Sequence, residues 1–287
     1  MQLLVKIMSV AFSWVLLVFP GNQPGTARQV VAGNGSIGEY VFRLPEEGDI
    51  ALSLSLPLRG GGARRLVVDE SLGREIVITG DWNILDCIAV EEDEGLWTIG
   101  GGPGAAYRPT RLTVAVGAPV RELVVNGAWD IAYGCPSVTD CRIEINGACT
   151  GGFAFGALDS LQLNLNGASS VALAGAARSA ALVLNGASLV EAFDLTVQGF
   201  DLTVNGAGDL EITAEQSLRV TVNGIATIAC AGDPAIRRSV NGLASIQPRD
   251  LEEEPETEPA PEDEAQALSL PPQSEIEAIA PDDPLYE

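Results

Sequence analysis

Acidic side chains hold most of the reactive chemistry that this sequence offers, because it has 39 Asp and Glu residues, 16 Lys and Arg residues and no histidine. Histidine is the commonest general base, the usual partner of Ser and Cys nucleophiles and the commonest transition-metal ligand. Catalysis would therefore have to use carboxylates or lysine. A carboxylate mechanism needs at least two such groups converging on one face, as in glycoside hydrolases.

Seven Asn-Gly pairs define the elements that would have to position such groups. The pairs recur every 18 to 20 residues, and their asparagines are Asn126, Asn146, Asn166, Asn185, Asn205, Asn223 and Asn241. The first and third residues before each asparagine are aliphatic, except Arg238, and the residue between them is mixed or polar. This period-two alternation predicts a strand with one buried face before each pair, and a second alternating segment follows it.

Equivalent repeats bury their apolar faces when each one stacks in parallel on its predecessor. We therefore expect an all-β fold: a parallel β-solenoid (β-helix-like) of about seven 18–20-residue coils. In it the seven asparagines form a structural ladder along one corner, and the adjacent glycines allow a positive φ there. Asn-Gly between strands is also the strongest hairpin signal, so a meander or barrel of antiparallel hairpins is the competing architecture.

The outward columns of the stacked repeats show no catalytic constellation. The residues four before each asparagine place no two carboxylates on adjacent layers; they are Glu122, Arg142, Gln162, Ala181, Asp201, Arg219 and Arg237. We therefore predict no catalytic, cofactor-binding or metal-binding residues, no cofactor, and a protein that is not an enzyme. Trp82, Trp97 and Trp129 would stack on sugars if they were exposed, although packing in the core or cap is the simpler interpretation.

The two ends of the chain differ from the repeats. A short basic segment, the apolar run 7–19 and small residues before Ala27 predict a signal peptide at 1–27. Its apolar run of about 13 residues is shorter than the roughly 20 that span a bilayer, and we expect no transmembrane segment after cleavage. Residues 28–75 are predicted to form an irregular β N-terminal cap. Residues 248–287, rich in Glu, Pro and Asp, are predicted to be a disordered acidic tail.

Charge and cysteine content limit the partners and the redox chemistry. The net charge of −23 repels nucleic acid, so no nucleic-acid partner is expected. Export permits disulfides, and an odd count of five cysteines leaves at least one thiol unpaired within the chain. Cys135 and Cys141, six residues apart in one loop between repeats, are the pair most easily bridged. The alternative is that both are small apolar residues without a bond.

The order and period of these motifs resemble the head GIN domain family of putative auto-transporter adhesins. The segment 204–212, VNGAGDLEI, is nearest to the family's repeat of an aliphatic residue, Gly-Ser-Gly-Asp and alternating aliphatics. Here asparagine takes the family's usual serine or variable position, and the aspartate survives only at Asp130 and Asp209. The resemblance covers residues 70–247. It implies a parallel β-solenoid in an exported bacterial protein, with a GIN-like domain at 76–247 and no established catalytic residues to carry over.

These observations favour an exported, non-catalytic structural or adhesion-type protein in the periplasm, on the cell surface or secreted. Its partner would be an unknown cell-surface component, glycan or envelope protein. Two alternatives remain open: a polysaccharide-acting enzyme on a parallel β-helix, and an envelope scaffold that uses the acidic tail.

Overall fold

The computed structural model describes residues 29–60, 62–102 and 105–249. The predicted signal peptide and the predicted tail beyond Arg249 lie outside these residues. Strands make up 81% of the described part, and the fold is an all-β, curled and open sheet with long strands. The short helix α1 spans Trp82–Leu85. Nowhere in the described ranges does a helix reach the length and apolar character needed to cross a membrane.

Nine short strands come first in the chain. They are β1 (Gln29–Ala32), β2 (Ile37–Arg43), β3 (Ile50–Ser55), β4 (Ala63–Asp69), β5 (Glu75–Asp81), β6 (Ile88–Asp93), β7 (Leu96–Gly101), β8 (Ala105–Arg108) and β9 (Arg111–Val116). Three long strands contain the repeats: β10 (Val120–Cys135), β11 (Asp140–Ala231) and β12 (Ala235–Pro248). The 92 residues of β11 continue through five Asn-Gly pairs without a break in strand structure.

Like residues pair with like residues along the repeats. β10 runs parallel to the start of β11, with Asn126 opposite Asn146 and Gly127 opposite Gly147. The end of β11 runs parallel to β12, with Asn223 opposite Asn241. This register follows from the period-two pattern, because a slip by one residue would turn every aliphatic side chain to the solvent.

The order of strands in the sheet differs from their order in the sequence. β3 and β4 pair in parallel with the first and second halves of β10. On their other side β3 pairs with β7, and β4 pairs with β9, again in parallel. Residues 50–69 therefore lie between residues 96–116 and the first Asn-Gly repeat, although 96–116 follow them in the chain.

Antiparallel strands close the end of the sheet that precedes the repeats. β5 pairs with β9 and then with β2, while β6 pairs with β7. β1 and β8 form a separate two-stranded parallel sheet. The parallel pairing that runs through the repeats, β3, β4, β7 and β9 therefore ends at β5 and β6, which pair in the antiparallel direction.

The core lies between the inward columns of the repeats and continues into β3, β4, β7 and β9. Leu123, Ile143 and Leu163 each have no exposed surface, and their equivalents in later repeats are equally buried up to Val220. A regular column of aliphatic side chains excludes water over the whole length of β11, and this burial is the main source of stability.

Candidate functional site

Asparagine amides connect successive repeats at one corner of the sheet. The Nδ2 of each asparagine donates to the Oδ1 of the preceding one over distances of 2.7 to 3.1 Å, from Asn146 on Asn126 to Asn223 on Asn205. Asn241 is the register partner of Asn223. Each internal amide thus donates to one neighbour and accepts from the other, which satisfies both of its groups.

The glycines after the asparagines all have a positive φ, and from Gly147 onward each lies against the backbone of the previous repeat. Gly167 has a φ of 146°, and a Cβ built on it would lie 2.0 Å from the carbonyl oxygen of Gly147. Any side chain here would overlap the backbone of the previous repeat and would also occupy a backbone region that L-residues rarely adopt. The corner therefore brings adjacent backbones close together, and the side chains that follow it are aligned in rows.

The side chains that follow the Asn-Gly pairs line a groove of about 910 Å³, which we call the alanine groove. Its lining includes the alanines two residues after the asparagines, namely Ala128, Ala148, Ala168, Ala187 and Ala207. At the strand spacing of about 4.8 Å, these five layers extend over roughly 19 Å. The groove is therefore long, open and lined mainly by short side chains.

The two ends of the alanine groove differ in chemistry. Gly60, Gly62 and Arg64, which precede or begin β4, border it near Trp129 and Asp130. The Arg64 side chain donates to the carbonyl oxygen of Gly60, and its buried Nε has no hydrogen-bond partner among the described residues. Burial lowers the pKa of the guanidinium. At the opposite end stands Ile225, which is 60% exposed. One end thus combines Arg64 with Asp130, and the other combines Ile225 with Asp209.

The thiol nearest the groove is unsuited to nucleophilic chemistry. Cys149 lies in the lining with 3% of its surface exposed, and burial, reinforced by the charge of Asp130, raises its pKa to about 12. The thiolate is the reactive form of cysteine. At neutral pH Cys149 is therefore a small apolar wall residue.

Cys135 and Cys141 lie together in the core around Tyr133. The Tyr133 hydroxyl is 3.2 Å from the Cys141 sulfur and donates to the carbonyl oxygen of Val120. Burial raises the pKa of both thiols to about 11 and also raises the pKa of Tyr133. Both cysteines are free thiols in this structure, and a bond between them remains a prediction.

One carboxylate is fully buried, and its surroundings indicate a structural role. Asp81, at the end of β5, accepts from the amides of Gly35 and Thr110 at 2.7 Å each and from the Thr110 hydroxyl at 3.0 Å. Burial acts to raise the pKa of Asp81, but these donors together hold it below the ordinary value. Asp81 thus fastens the segment after β1 and the start of β9 to β5.

The remaining acidic residues form no site in the part of the chain that the structure describes. Within those ranges no group of three or more His, Cys, Asp or Glu residues could hold a metal ion. The ion pairs, such as Arg219 with Asp201 at 3.7 Å, are solvent-exposed. Exposed pairs of this kind contribute about 0–1 kcal/mol each.

The tryptophans occupy three different environments. Trp129 is buried, and its indole N–H donates to the carbonyl oxygen of Asn126 at 3.3 Å. Trp97 is half-buried against the core. Trp82 is 39% exposed and packs edge to face with Tyr40, 5.7 Å between ring centroids. Of these three tryptophans, all within the described residues, Trp82 is the one that offers a substantial surface to the solvent.

The family described as "Putative auto-transporter adhesin, head GIN domain" matches residues 58–234, which is more than half of the chain. This chain belongs to that family. The match confirms the resemblance found in the repeats. The structure adds that the matched region begins just before β4 and ends just before β12. A search among curated proteins gives no match.

Solved structures share the fold at low sequence identity. A putative adhesin from Bacteroides fragilis NCTC 9343 is 19% identical with a TM-score of 0.59, over 76% of this chain and all of that one. A putative lipid binding protein from Parabacteroides distasonis ATCC 8503 is 17% identical with a TM-score of 0.54, over 77% of this chain and all of that one. A putative adhesin from Parabacteroides merdae ATCC 43184, 16% identical, gives a TM-score of 0.51, over 77% of this chain and all of that one.

Reasoning from the sequence missed the alanine groove and the role of Asp81. The column of alanines two residues after the asparagines was visible in the repeats. Its flanking residues Gly60, Gly62 and Arg64 come from a segment without the Asn-Gly motif, so no repeat signal links them to the groove. The contact between Asp81 and Thr110 likewise has no local sequence pattern.

Proposed function

We propose that this protein is an exported, non-catalytic adhesion module in which about seven coils of a parallel β-solenoid carry a ligand groove. The observation that carries the proposal is the alanine groove: a long, open channel lined mainly by short side chains. The names of the family and of two structural neighbours agree with an adhesive role. The ligand would be an extended portion of a cell-surface or envelope component.

The shape of the groove suits an extended ligand. Its alanine rows leave room for one chain lying along the axis, and such pockets bind mainly by burying apolar surface. The ladder of asparagines beside it holds the rows in register, so little rearrangement is needed on binding. A preformed groove loses less conformational entropy when it is occupied.

Filling the groove tests this proposal. Ala168 is exposed in the middle of the groove, so Ala168→Trp should block a ligand while leaving the core unchanged. Gln162→Trp is the matched control, because Gln162 is exposed in the same repeat but outside the groove lining. Binding of the full chain to isolated envelope fractions and to arrays of envelope glycans would be measured for both variants.

The proposal expects binding by the wild type and the control and at least a tenfold loss in the groove variant. Equal binding by both variants, with unchanged circular dichroism, would place the adhesive surface elsewhere. If a carboxylate substitution abolished turnover of an acidic polysaccharide, the non-catalytic assignment would be wrong.

A second candidate function rests on the asymmetry of the groove. Arg64 lies beside Asp130 at one end, and Ile225 lies beside Asp209 at the other. An amphiphile with its anionic head at Arg64 would place its apolar chain along the alanines. A structural neighbour is named a putative lipid binding protein. If amphiphiles are the ligands, a fluorescent fatty acid should bind in the groove, and Arg64→Gln should weaken it more than Arg65→Gln. Equal effects of the two substitutions would rule out a head-group contact at Arg64.

A further inference from the structure

Three of the four buried polar side-chain atoms that lack a hydrogen-bond partner among the described residues belong to residues that line the alanine groove. They are Nε of Arg64 and Oγ of Ser169 and Ser188, and the fourth is the indole nitrogen of Trp97, which lies elsewhere. Buried polar atoms are nearly always paired, because an unpaired one loses its hydrogen bonds to water without replacing them. Their concentration around one groove indicates that a ligand supplies the missing partners.

The two serines stand next to each other in the middle of the groove. They belong to the row of residues three positions after the asparagines, and the members of this row that line the groove are Trp129, Cys149, Ser169, Ser188 and Gly208. Each serine is 7% exposed. Since they lie in adjacent layers, they are separated by about 4.8 Å along the groove. The lining therefore contains two neighbouring hydroxyl groups at its centre.

Packing alone does not require a hydroxyl at these positions. Ala226 occupies the same position in a later repeat and is 3% exposed, so an alanine fits this row. A buried hydroxyl without a partner makes the folded state less stable than the alanine would. Two such serines in succession lower the stability of the free protein, and a local cost of this kind is typical of functional sites.

The neighbouring polar residues define the chemistry that a ligand has to match. Thr150 and Ser170 are exposed and line the groove beside the buried row, and Asp130 and Asp209 lie near its two ends. Hydroxyls both donate and accept, whereas carboxylates accept hydrogen bonds from hydroxyls. These groups alternate with the methyl groups of the alanines. A matching ligand has hydroxyls along its length and apolar C–H surface between them, which describes a glycan.

A peptide fits this arrangement less well than a glycan does. The strands cross the groove, and in the layers that the structure describes their main-chain groups pair with the layers on either side. An extended peptide lying along the groove would therefore find few partners for its own N–H and C=O groups, and burying them unpaired is costly. Sugar hydroxyls can donate or accept in several directions and remain partly hydrated in an open groove.

We propose that the alanine groove binds a neutral glycan whose hydroxyls pair with Ser169, Ser188 and Arg64. Each serine reaches the ligand by rotation about its Cα–Cβ bond, since its hydroxyl is buried in the free protein. A strongly anionic chain is disfavoured, because it would meet Asp130 near one end and Asp209 near the other. This inference rests on the proposed adhesive function and names the class of its ligand.

Replacing both serines by alanine tests the proposal in the full chain. An array of neutral glycans identifies the best-bound oligosaccharide, and titration calorimetry measures its affinity. S169A/S188A should lower this affinity at least about tenfold, since two hydrogen bonds to the ligand are lost. The same variant should raise the urea midpoint of the free protein. S217A/S239A is the matched control, because both serines are exposed and lie outside the groove lining. It should change neither quantity.

The possible results separate the class of ligand from the adhesive function. The proposal is overturned if no neutral glycan binds, or if S169A/S188A binds the glycan as tightly as the wild type. Binding of a fatty acid but of no glycan, blocked by Ala168→Trp, would identify the groove as an amphiphile site. If Ala168→Trp left binding to envelope fractions unchanged, the proposed function itself would fail, whatever the two serines do.

Discussion

Removing one amide from the asparagine ladder should destabilise the fold by an amount that can be worked out from its contacts. Asn166 donates to Asn146 at 2.7 Å and accepts from Asn185 at 2.7 Å. Asn166→Ala removes both hydrogen bonds, and each contributes about 0.5–1.5 kcal/mol net. Because Asn166 is half-buried and its neighbours can rehydrate in part, we expect a loss of about 2 kcal/mol in the free energy of unfolding.

Equilibrium urea unfolding of the full chain, followed by circular dichroism, measures this loss. The midpoint should fall while the slope stays unchanged, because the surface exposed on unfolding is the same. Asn164→Ala is the matched control, since Asn164 is half-buried on the same strand and makes no side-chain hydrogen bond to the described residues. It should cost no more than about 0.5 kcal/mol.

Asn166→Asp adds a check on the direction of the hydrogen bonds. A carboxylate cannot donate to Asn146, and its oxygen would face the Asn146 carbonyl oxygen, so its folded-state pKa should be raised. The added destabilisation should therefore be present at neutral pH, decrease as the pH falls through the raised folded-state pKa, and be absent below about pH 4, where the acid can donate. Equal stabilities for the Asn166→Ala and Asn164→Ala variants would refute the view that the ladder stabilises the stack.

Substitutions at a corner glycine and at Asp81, and labelling of the cysteines, have outcomes that the contacts of these residues determine. Gly167→Ala should lower the free energy of unfolding by more than about 3 kcal/mol or prevent folding, because its Cβ would lie 2.0 Å from a backbone oxygen at a φ of 146°. A Cβ at Gly152 would meet nothing within 4 Å. In the same unfolding assay Gly152→Ala should therefore change the free energy of unfolding by at most about 1 kcal/mol. The lowered pKa of Asp81 contributes stability above about pH 4 that is lost as the pH falls through the folded-state pKa. Asp81→Asn should therefore have a lower free energy of unfolding than the wild type at pH 7 and should lose less of it on acidification. Parallel plots of the free energy of unfolding against pH for the two proteins would contradict this. Thiol labelling of the native chain, followed by mass spectrometry, should modify half-exposed Cys87 first. Cys149, which is buried and has a pKa of about 12, should react far more slowly. Equal labelling rates would contradict this and would show that the core opens easily.

Much of the strand structure could be predicted because its signals are local. The alternation of Leu163, Asn164 and Leu165 already indicates which side chains face inward, and two of these residues are fully buried. The spacing of the asparagines indicates which residues stand opposite one another, and Asn126 does pair with Asn146. The alternation of apolar residues at 40–44 and 51–58 similarly indicates strands, and β2 and β3 overlap these two segments.

The candidate site was less predictable because it combines segments without a shared pattern. Arg64 and Ala128 line the same groove although one precedes the repeats and the other belongs to them. The exposed surface of Ile236 could not be read from its residue type, since Leu218 has the same chemistry and is 1% exposed. Exposure there depends on whether another layer follows, which is a property of the stack.

The sequence by itself determined the family, the all-β class and the repeat period, because the alternation of side chains and the spacing of Asn-Gly pairs are contained within each repeat. Only the tertiary structure decided that β3 lies between β7 and the first half of β10, and that β4 lies between β9 and its second half. The physical reason is that backbone hydrogen bonds between strands specify no partner, so the order of layers depends on how the whole chain buries its apolar faces.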